Sequence, residues 1–466
     1  SMTEYDVIVI GAGPGGYVCA IRAAQLGKKT AIIEREFLGG VCLNVGCIPS
    51  KALLKNAEVA HTLRERGNEF GFKVDGLKLD YGAAVKRSRR VSGRLAKGVG
   101  FLMNKNKVDV HMGQAVFTGP KTVTVEDDKG ERMTLTAKDI VLATGAAPIV
   151  IPGLGTDGDR VLSYRDAILQ EHLPGSVVII GAGAIGLEFA TIWSAYGVDV
   201  TLVEMLPRIA PLEDEEVSQE LTKALTKRGI KVLAGTKVEG IERLEAKVKV
   251  TVSGSDGGQT LEAEQALLAI GFRPNTKKLD LDAAGVKLDE RGFPEIDERM
   301  ATPTAGIWAI GDVTGKLMLA HVASAMGIIC AENIAGVETT TLDYEMMPRA
   351  TYCQPQVASF GLTEAQAAER GLEVKIGRFP FQASGKALGL GDYAGWVKIV
   401  TNVKSREILG AHMIGPEVTE LLPELTLAQM MELTPAEIAR NVHAHPTLSE
   451  VVMEAAHHAE GHAIHM

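Results

Sequence analysis

Val7-Ile8-Val9-Ile10-Gly11-Ala12-Gly13-Pro14-Gly15-Gly16 runs an apolar stretch directly into a glycine-rich turn. Four successive β-branched residues suit a strand buried on both faces. A helical pattern follows to Leu26, and a second apolar strand, Thr30-Ala31-Ile32-Ile33, ends on Glu34. Strand, glycine turn, helix, strand and acid make a dinucleotide-binding unit. Gly11 permits the tight turn, Gly13 lets backbone approach a pyrophosphate, and Gly16 lets helix and strand pack closely. The helix N-terminus favours phosphate charge. Glu34 stands where a carboxylate accepts hydrogen bonds from an adenosine ribose. The plan recurs at Val177-Val178-Ile179-Ile180, then Gly181-Ala182-Gly183-Ala184-Ile185-Gly186, a helix, and Val200-Thr201-Leu202-Val203 ending on Glu204. From first glycine to acid the offset is 23 residues in both copies. One such turn could be a plain strand–helix connection; two in the same context imply two dinucleotides and hydride transfer between them. Glu204 favours NAD, because a 2′-phosphate would meet its negative charge. Arg208 either opposes that weakly or faces solvent.

Outward from these motifs, 466 residues suggest two to four domains. A 46% hydrophobic and 23% charged composition is that of a soluble globular protein. The net charge of −9 argues against a nucleic-acid binder. No apolar run is long enough to cross a membrane. Ser1 ahead of Met2 reads as a cloning remnant, and a buried-strand pattern begins at Tyr5 with no export signal before it. The expectation is a cytoplasmic enzyme of small molecules. Five cysteines, an odd and sparse set, do not form a disulfide framework.

Only Cys42 and Cys47 are close, within Gly39-Gly40-Val41-Cys42-Leu43-Asn44-Val45-Gly46-Cys47-Ile48-Pro49-Ser50-Lys51. An unbroken helix would hold their Cα atoms roughly 8–9 Å apart, whereas a disulfide wants less than about 7 Å. A bonded pair therefore requires a distorted helix, and Gly46 and Pro49 offer the means. A strained disulfide is the kind that exchanges. The bland alternative is two buried thiols in a core helix; their place directly after a dinucleotide unit favours redox chemistry.

This segment resembles the redox-active signature of the pyridine nucleotide–disulfide oxidoreductases, in the variant of their dihydrolipoamide dehydrogenase branch. The resemblance spans residues 3 to about 460. It implies an α/β fold with two Rossmann-like dinucleotide-binding domains, for FAD and NAD, and a C-terminal α+β dimerisation domain. The expected divisions are residues 1–148 (FAD, first part), 149–271 (NAD), 272–342 (central, completing the FAD site) and 343–466 (interface). It also implies that Cys42 is the interchange thiol, that Cys47 faces the flavin, and that Lys51 lies beside it. Asp139-Ile140-Val141-Leu142-Ala143-Thr144-Gly145 and Gln265-Ala266-Leu267-Leu268-Ala269-Ile270-Gly271 read as strands ending in glycine turns. In the family they mark the crossover to the NAD domain and the return, which brings Thr144, Gly145 and Ala146 to FAD and Gly271 to NAD. Gly306-Ile307-Trp308-Ala309-Ile310-Gly311-Asp312 resembles the second flavin motif. There Asp312 would hold the ribitol chain, with Met318, Leu319, Ala320 and His321 along the ring. By itself, an Asp after a Gly is more often a turn residue. On resemblance alone Ala115 meets the flavin adenine, Val238 the NAD adenine, and Glu188 lies near nicotinamide, paired with Lys51; otherwise Glu188 is a solvated carboxylate.

The C-terminal stretch Asn441-Val442-His443-Ala444-His445-Pro446-Thr447-Leu448-Ser449-Glu450 leaves two readings level. Thr447 and Glu450 satisfy a capping box, or Glu450 orients the His445 ring and raises its basicity. The segment resembles the family's C-terminal signature, in which this histidine is the base, so the resemblance assigns His445 as base and Glu450 as its partner. His443 reads as structural. His457, His458, His462 and His465 read as a solvated helix end rather than a metal site, and Lys86-Arg87-Ser88-Arg89-Arg90 as a solvated helix face. The resemblance implies a homodimer, each site taking its base from the other chain, and lipoyl-bearing subunits of 2-oxoacid dehydrogenase or glycine cleavage complexes as partners. Glutathione- and mercury-type reductases share the fold. No cysteine follows Cys353, against the mercury type, and Met205-Leu206-Pro207 lacks the arginines expected for NADPH. A flavoprotein binding subunit with idle thiols is the remaining alternative.

Overall fold

Buried parallel strands need their apolar residues on both faces, and the segment Val7–Ile10 meets that demand, each residue being at most 4% exposed. The structure is a computed structural model that describes residues 2–466. It divides into two compact units. The first holds the chain up to Ala52 with Gly82–Val150 and Gly271–Tyr344; the second holds Leu53–Tyr81, Ile151–Ile270 and Glu345–Met466.

In the first unit Met2–Ile10 lies parallel between Thr30–Glu34 and Arg132–Leu142. Asp109–Met112 extends one edge in parallel. Thr122–Glu126 and Gln114–Gly119 continue antiparallel on the other side. Ile307–Ala309 returns to pair in parallel with Ile140–Leu142. Helices Pro14–Gln25 and Ala320–Ala335 pack together, close enough that a Cβ on Gly327 would stand 2.6 Å from the Gly15 carbonyl oxygen.

The second unit contains a five-stranded parallel sheet in the order Lys231–Leu233, Asp199–Val203, Ser176–Ile180, Gln265–Leu268, Val161–Leu162. A three-stranded antiparallel sheet, 237–263, packs its Val248, Val250 and Val252 into the same core. The C-terminal sheet is antiparallel, in the order Arg349–Thr351, Gln356–Gly361, Ile408–Gly415, Trp396–Asn402, Val374–Pro380. Helices Val418–Met430 and Glu450–Ala459 cover it.

The repeat seen in the sequence is a repeat of atomic geometry. Gly11 and Gly181 have φ of +104° and +107°. Their N–H groups donate to Ile33 and Val203 carbonyls, each at 2.8 Å. A Cβ on Gly16 would lie 1.8 Å from the Gly11 oxygen, and one on Gly186 1.9 Å from the Gly181 oxygen. Only glycine fits either place.

Lys398, on a central strand of the C-terminal sheet, is fully buried. Its Nζ donates to both Asp214 oxygens at 3.0 Å, to Glu216 at 3.0 Å and to Glu364. Burial disfavours the ammonium, but the carboxylates outweigh it and raise its pKa. These three acids form the one acidic cluster among the described residues tight enough for a cation, and it holds its own ammonium. Arg378 also serves Glu216, so Asp214, 3% exposed, depends on Lys398 most. Lys398→Met should therefore lower unfolding free energy by about 3–5 kcal/mol, the usual effect of stranding one buried partner. An unchanged urea midpoint would contradict this.

Candidate active site

The thiol segment breaks as its spacing requires. One helix covers Gly40–Asn44 and the next Cys47–Glu65, with Val45 and Gly46 between them. Gly46 is pressed into the break: a Cβ there would stand 2.9 Å from the Val41 oxygen and 3.2 Å from the Cys42 Cα. Pro49 sits in the first turn of the second helix, where a missing N–H costs nothing, so it starts that helix rather than kinking one. Cys42 and Cys47 stand as a dithiol. A hydrogen bond to the Cys47 side chain and burial push the Cys42 thiol up; the Lys51 charge and the Cys47 backbone N–H pull it down. The Cys42 sulfur thus faces a helix N-terminus and a cation, both of which favour thiolate. The start of the first helix lies against the first glycine turn. Gly39 N–H donates to the Ala12 oxygen at 2.8 Å, and a Cβ on Gly40 would lie 2.6 Å from the Gly13 Cα.

Both strand-end acids turn back onto their own turns. Glu34 accepts Ala12 N–H and Glu36 N–H at 2.8 Å each. Glu204 accepts Ala182 N–H at 2.8 Å and Leu206 N–H at 3.0 Å. Each acid is only 8% exposed. Burial raises the Glu34 pKa against the pull of the Ala12 and Phe37 N–H groups. Space opens at the middle glycines: a Cβ on Gly13 would meet only the Gly40 Cα, at 4.0 Å, and one on Gly183 nothing within 4 Å. Arg208 does not simply face solvent. Its guanidinium donates inward to the Glu213 oxygen at 2.6 Å and the Ser218 Oγ at 2.7 Å.

Thr144, Gly145 and Ala146 are joined to the returning strand by Asn275. Thr144 Oγ1 donates to its carbonyl at 2.7 Å, its Nδ2 donates to the Thr144 oxygen at 3.0 Å, and its N–H donates to Gly145. Ala146 pairs with Pro274. Gly271 has φ of +116° and accepts the Ile149 N–H. Ala115 is buried on Gln114–Gly119. Asp312 lies in the short 3-10 turn Gly311–Thr314, and burial alone pushes its carboxyl up to about 6. Met318 and Leu319 lead into the helix that begins Ala320-His321. In the second unit Ile185 lies in the first turn of Ala184–Ala195. Glu188, on the same helix, is 5% exposed rather than solvated and accepts the Tyr352 N–H at 3.1 Å. Val238 sits at a bulge beside the valine core.

At the C-terminus both readings of Glu450 hold together. Its Oε1 meets His445 Nδ1 at 2.7 Å and its Oε2 accepts the Thr447 N–H at 2.8 Å. Burial pushes Glu450 up, yet the Thr447 N–H and the His445 ring outweigh it and leave it below the ordinary value. The expected capping box forms only by half. The helix starts at Glu450 with Ser449 as cap, and the Thr447 hydroxyl turns instead to the Ala444 oxygen and Ser449 Oγ. The His445 side chain is 80% exposed. The His443 side chain is 4% exposed and held between Glu424 and the Asn441 oxygen, as a structural residue would be. Nor are the trailing histidines merely solvated: His458 Nδ1 accepts the Arg378 N–H, and His465 pairs with Glu454.

Comparison with known proteins decides the family. The profile described as pyridine nucleotide-disulphide oxidoreductase matches residues 5–327, and that of the family's dimerisation domain matches 347–456. The chain belongs to the pyridine nucleotide–disulphide oxidoreductases. Relatives named dihydrolipoyl dehydrogenase include those of Mycobacterium leprae, 53% identical, and Corynebacterium glutamicum, 51% identical. Both alignments cover 99% of this chain and 100% of the relative. Among solved structures, LpdA of Mycobacterium tuberculosis superposes with a TM-score of 0.90 at 26% identity, over 98% of this chain and 99% of that one. The HOCl-induced flavoprotein disulfide reductase RclA of Escherichia coli gives 0.85 at 27% identity, over 96% and 98%.

This oxidoreductase uses FAD and NAD. Its two turns suit them, since open space stands beside Gly13 and Gly183 where a pyrophosphate would approach and a buried acid closes each turn. Asp312, a half-buried carboxylate pushed up by burial alone, suits a group that brings hydroxyl donors. The sequence reading missed Asn275, and it took Arg87 and Arg89 of the helix Tyr81–Lys105 for a solvated face. The arginines turn inward to the Ala52 and Asn44 carbonyls. Asp312 gives a signed test. Its folded pKa of about 6 lies above the ordinary 3.8, so its ionised form costs stability above about pH 6 and the cost vanishes below about pH 4. In flavin-stripped protein Asp312→Asn should add roughly 1–3 kcal/mol at pH 8, with no gain at pH 4, while flavin retention falls. Equal gains at both pH values in thermal melts would contradict it.

Proposed function

We propose that the chain is a dihydrolipoyl dehydrogenase, oxidising dihydrolipoyl groups to the disulfide and reducing NAD+ to NADH through the Cys42–Cys47 pair. The observation that supports this most is the broken helix that brings both cysteine side chains together, with Cys42 on the Cys47 N–H. The full-length relatives of that name, about half identical, support the same reading.

A dihydrolipoyl thiolate attacks the Cys42 sulfur of the Cys42–Cys47 disulfide, and Cys47 leaves as thiolate. The second dihydrolipoyl thiolate then displaces Cys42, so the substrate gains an S–S bond and the protein holds the electron pair as a dithiol. His445 takes the substrate proton. Its Nδ1 faces Glu450, which leaves Nε2 as the basic nitrogen. The dimerisation domain supports a homodimer, in which each chain lends His445 to the other's thiols. FAD, when bound beside the thiols, would supply the two-electron chemistry that links the dithiol to NAD+. Gly11, Gly13, Gly16, Glu34, Lys51, Ala115, Thr144, Gly145, Ala146, Asp312 and residues 318–321 would hold FAD. Gly181, Gly183, Ile185, Gly186, Glu188, Glu204, Val238 and Gly271 would hold NAD. Lipoyl-bearing subunits of 2-oxoacid dehydrogenase or glycine cleavage complexes are the proposed partners, in the cytoplasm. No helix among the described residues is long and apolar enough to cross a membrane.

His445→Gln should lower lipoyl turnover roughly 10²–10⁴-fold, the usual worth of a positioned base, while transfer from NADH to an artificial acceptor survives. Glu450→Gln should cost less and move the acid limb of the pH–rate profile downward, because a neutral amide stabilises imidazolium less. Normal lipoyl turnover in the His445 variant would overturn the mechanism. NADH should outperform NADPH at matched concentration, since Glu204 opposes a 2′-phosphate and Arg208 is turned away onto Glu213 and Ser218. Glu204→Ala should narrow that gap mainly through KM; equal rates in the parent enzyme would refute the preference.

A further inference from the structure

The run Lys86–Arg90 has a part in the thiol site. Where the helix stops at Asn44, the carbonyls of its last turn lose their intrahelical donors. Arg89 reaches in from the helix Tyr81–Lys105 and donates from Nη1 to the Asn44 carbonyl. That carbonyl is its only hydrogen-bond partner among the described residues. Asn44 itself is 7% exposed, and its side chain donates to the Leu38 and Gly40 oxygens at 2.9 and 2.8 Å. Two residues further on, the turn at Gly46 closes against Val41 and Cys42. From the same helix Arg87 donates to the Ala52 carbonyl at 3.1 Å, on the second helix. The helix Tyr81–Lys105 therefore grips the chain on both sides of the break.

We propose that Arg89 is a positioning residue that latches the break between Cys42 and Cys47 and so favours their disulfide over their dithiol. The inference rests on the reading of these cysteines as an exchanging pair. A continuous helix would separate their Cα atoms by roughly 8–9 Å, beyond the limit of about 7 Å for a disulfide. The disulfide needs the break, whereas the dithiol tolerates either backbone. Two electrons and two protons separate the forms, and glutathione exchange supplies or removes them.

The test uses the flavin-loaded enzyme as parent, Arg89→Leu, Arg89→Lys and Arg90→Leu. Each is equilibrated in graded reduced and oxidised glutathione, quenched by alkylation, and scored by mass for the Cys42–Cys47 peptide. Arg89→Leu should shift the balance about tenfold toward dithiol, which for a two-electron couple is about 30 mV. Arg89→Lys, which keeps a donor and the charge, should shift it less in the same direction, and it carries the test if the leucine variant does not fold. The exposed Arg90 should have no effect. An unchanged balance in the Arg89 variants would overturn the latch. So would a shift toward disulfide, since that is what losing a cation that merely stabilises thiolate would produce. If the parent cysteines fail to respond to glutathione and to dihydrolipoamide, the exchanging-pair reading fails instead.

Discussion

A carbonyl oxygen 1.8 Å from where a Cβ on Gly16 would stand is a constraint that no side chain can relax. The same contact, at 1.9 Å, recurs at Gly186. It makes each strand turn at once into its helix, aligns the helix N-terminus with the strand end, and leaves the middle glycine beside open space. The acid at the end of the next strand then closes the loop by accepting the Ala12 or Ala182 N–H. The position of the thiol segment depends on this turn as well. In the first copy Gly39 and Gly40 rest directly on it.

The thiol segment answers two opposed demands. Cysteines five residues apart on one helix cannot bond, yet a helix N-terminus is a good place to stabilise thiolate. Splitting the segment meets both. The first helix carries Cys42, and the second begins at Cys47 and directs its N–H at the Cys42 sulfur. The split exposes carbonyls that a continuous helix would have satisfied, and a guanidinium from a neighbouring helix takes one of them.

Ionic contacts elsewhere in the second unit have different tasks. Lys398 and its acids join the loop before helix Glu215–Lys227 to the C-terminal sheet, where Arg349 and Ser359 also hold Glu213. That loop carries Arg208, whose guanidinium is occupied by the Glu213 carbonyl. The same Nη1 also donates to the Ser218 Oγ, so Arg208 is tied to its own loop and the following helix.

The sequence by itself determined whatever depends on neighbours along the chain. The strand–turn–helix–strand–acid repeat, the helix break that a Cys42–Cys47 bond needs, and the two roles open to Glu450 were legible. Each is settled by backbone sterics or by side chains within two turns. Tertiary structure alone decided the rest. Arg87 and Arg89 look like a solvated cationic face until helix docking brings them to carbonyls 35 and 45 residues away. Asn275 carries no local signal until the strand Phe272–Pro274 brings it to Thr144, 131 residues away. Thr447 has the spacing of a capping box, but the helix starts later, at Glu450, and its hydroxyl donates to the Ala444 carbonyl instead. Local patterns state which hydrogen bonds a segment can make. Which one forms is set by the partner that packing brings closest, because a buried polar group takes any acceptor or donor before it accepts none.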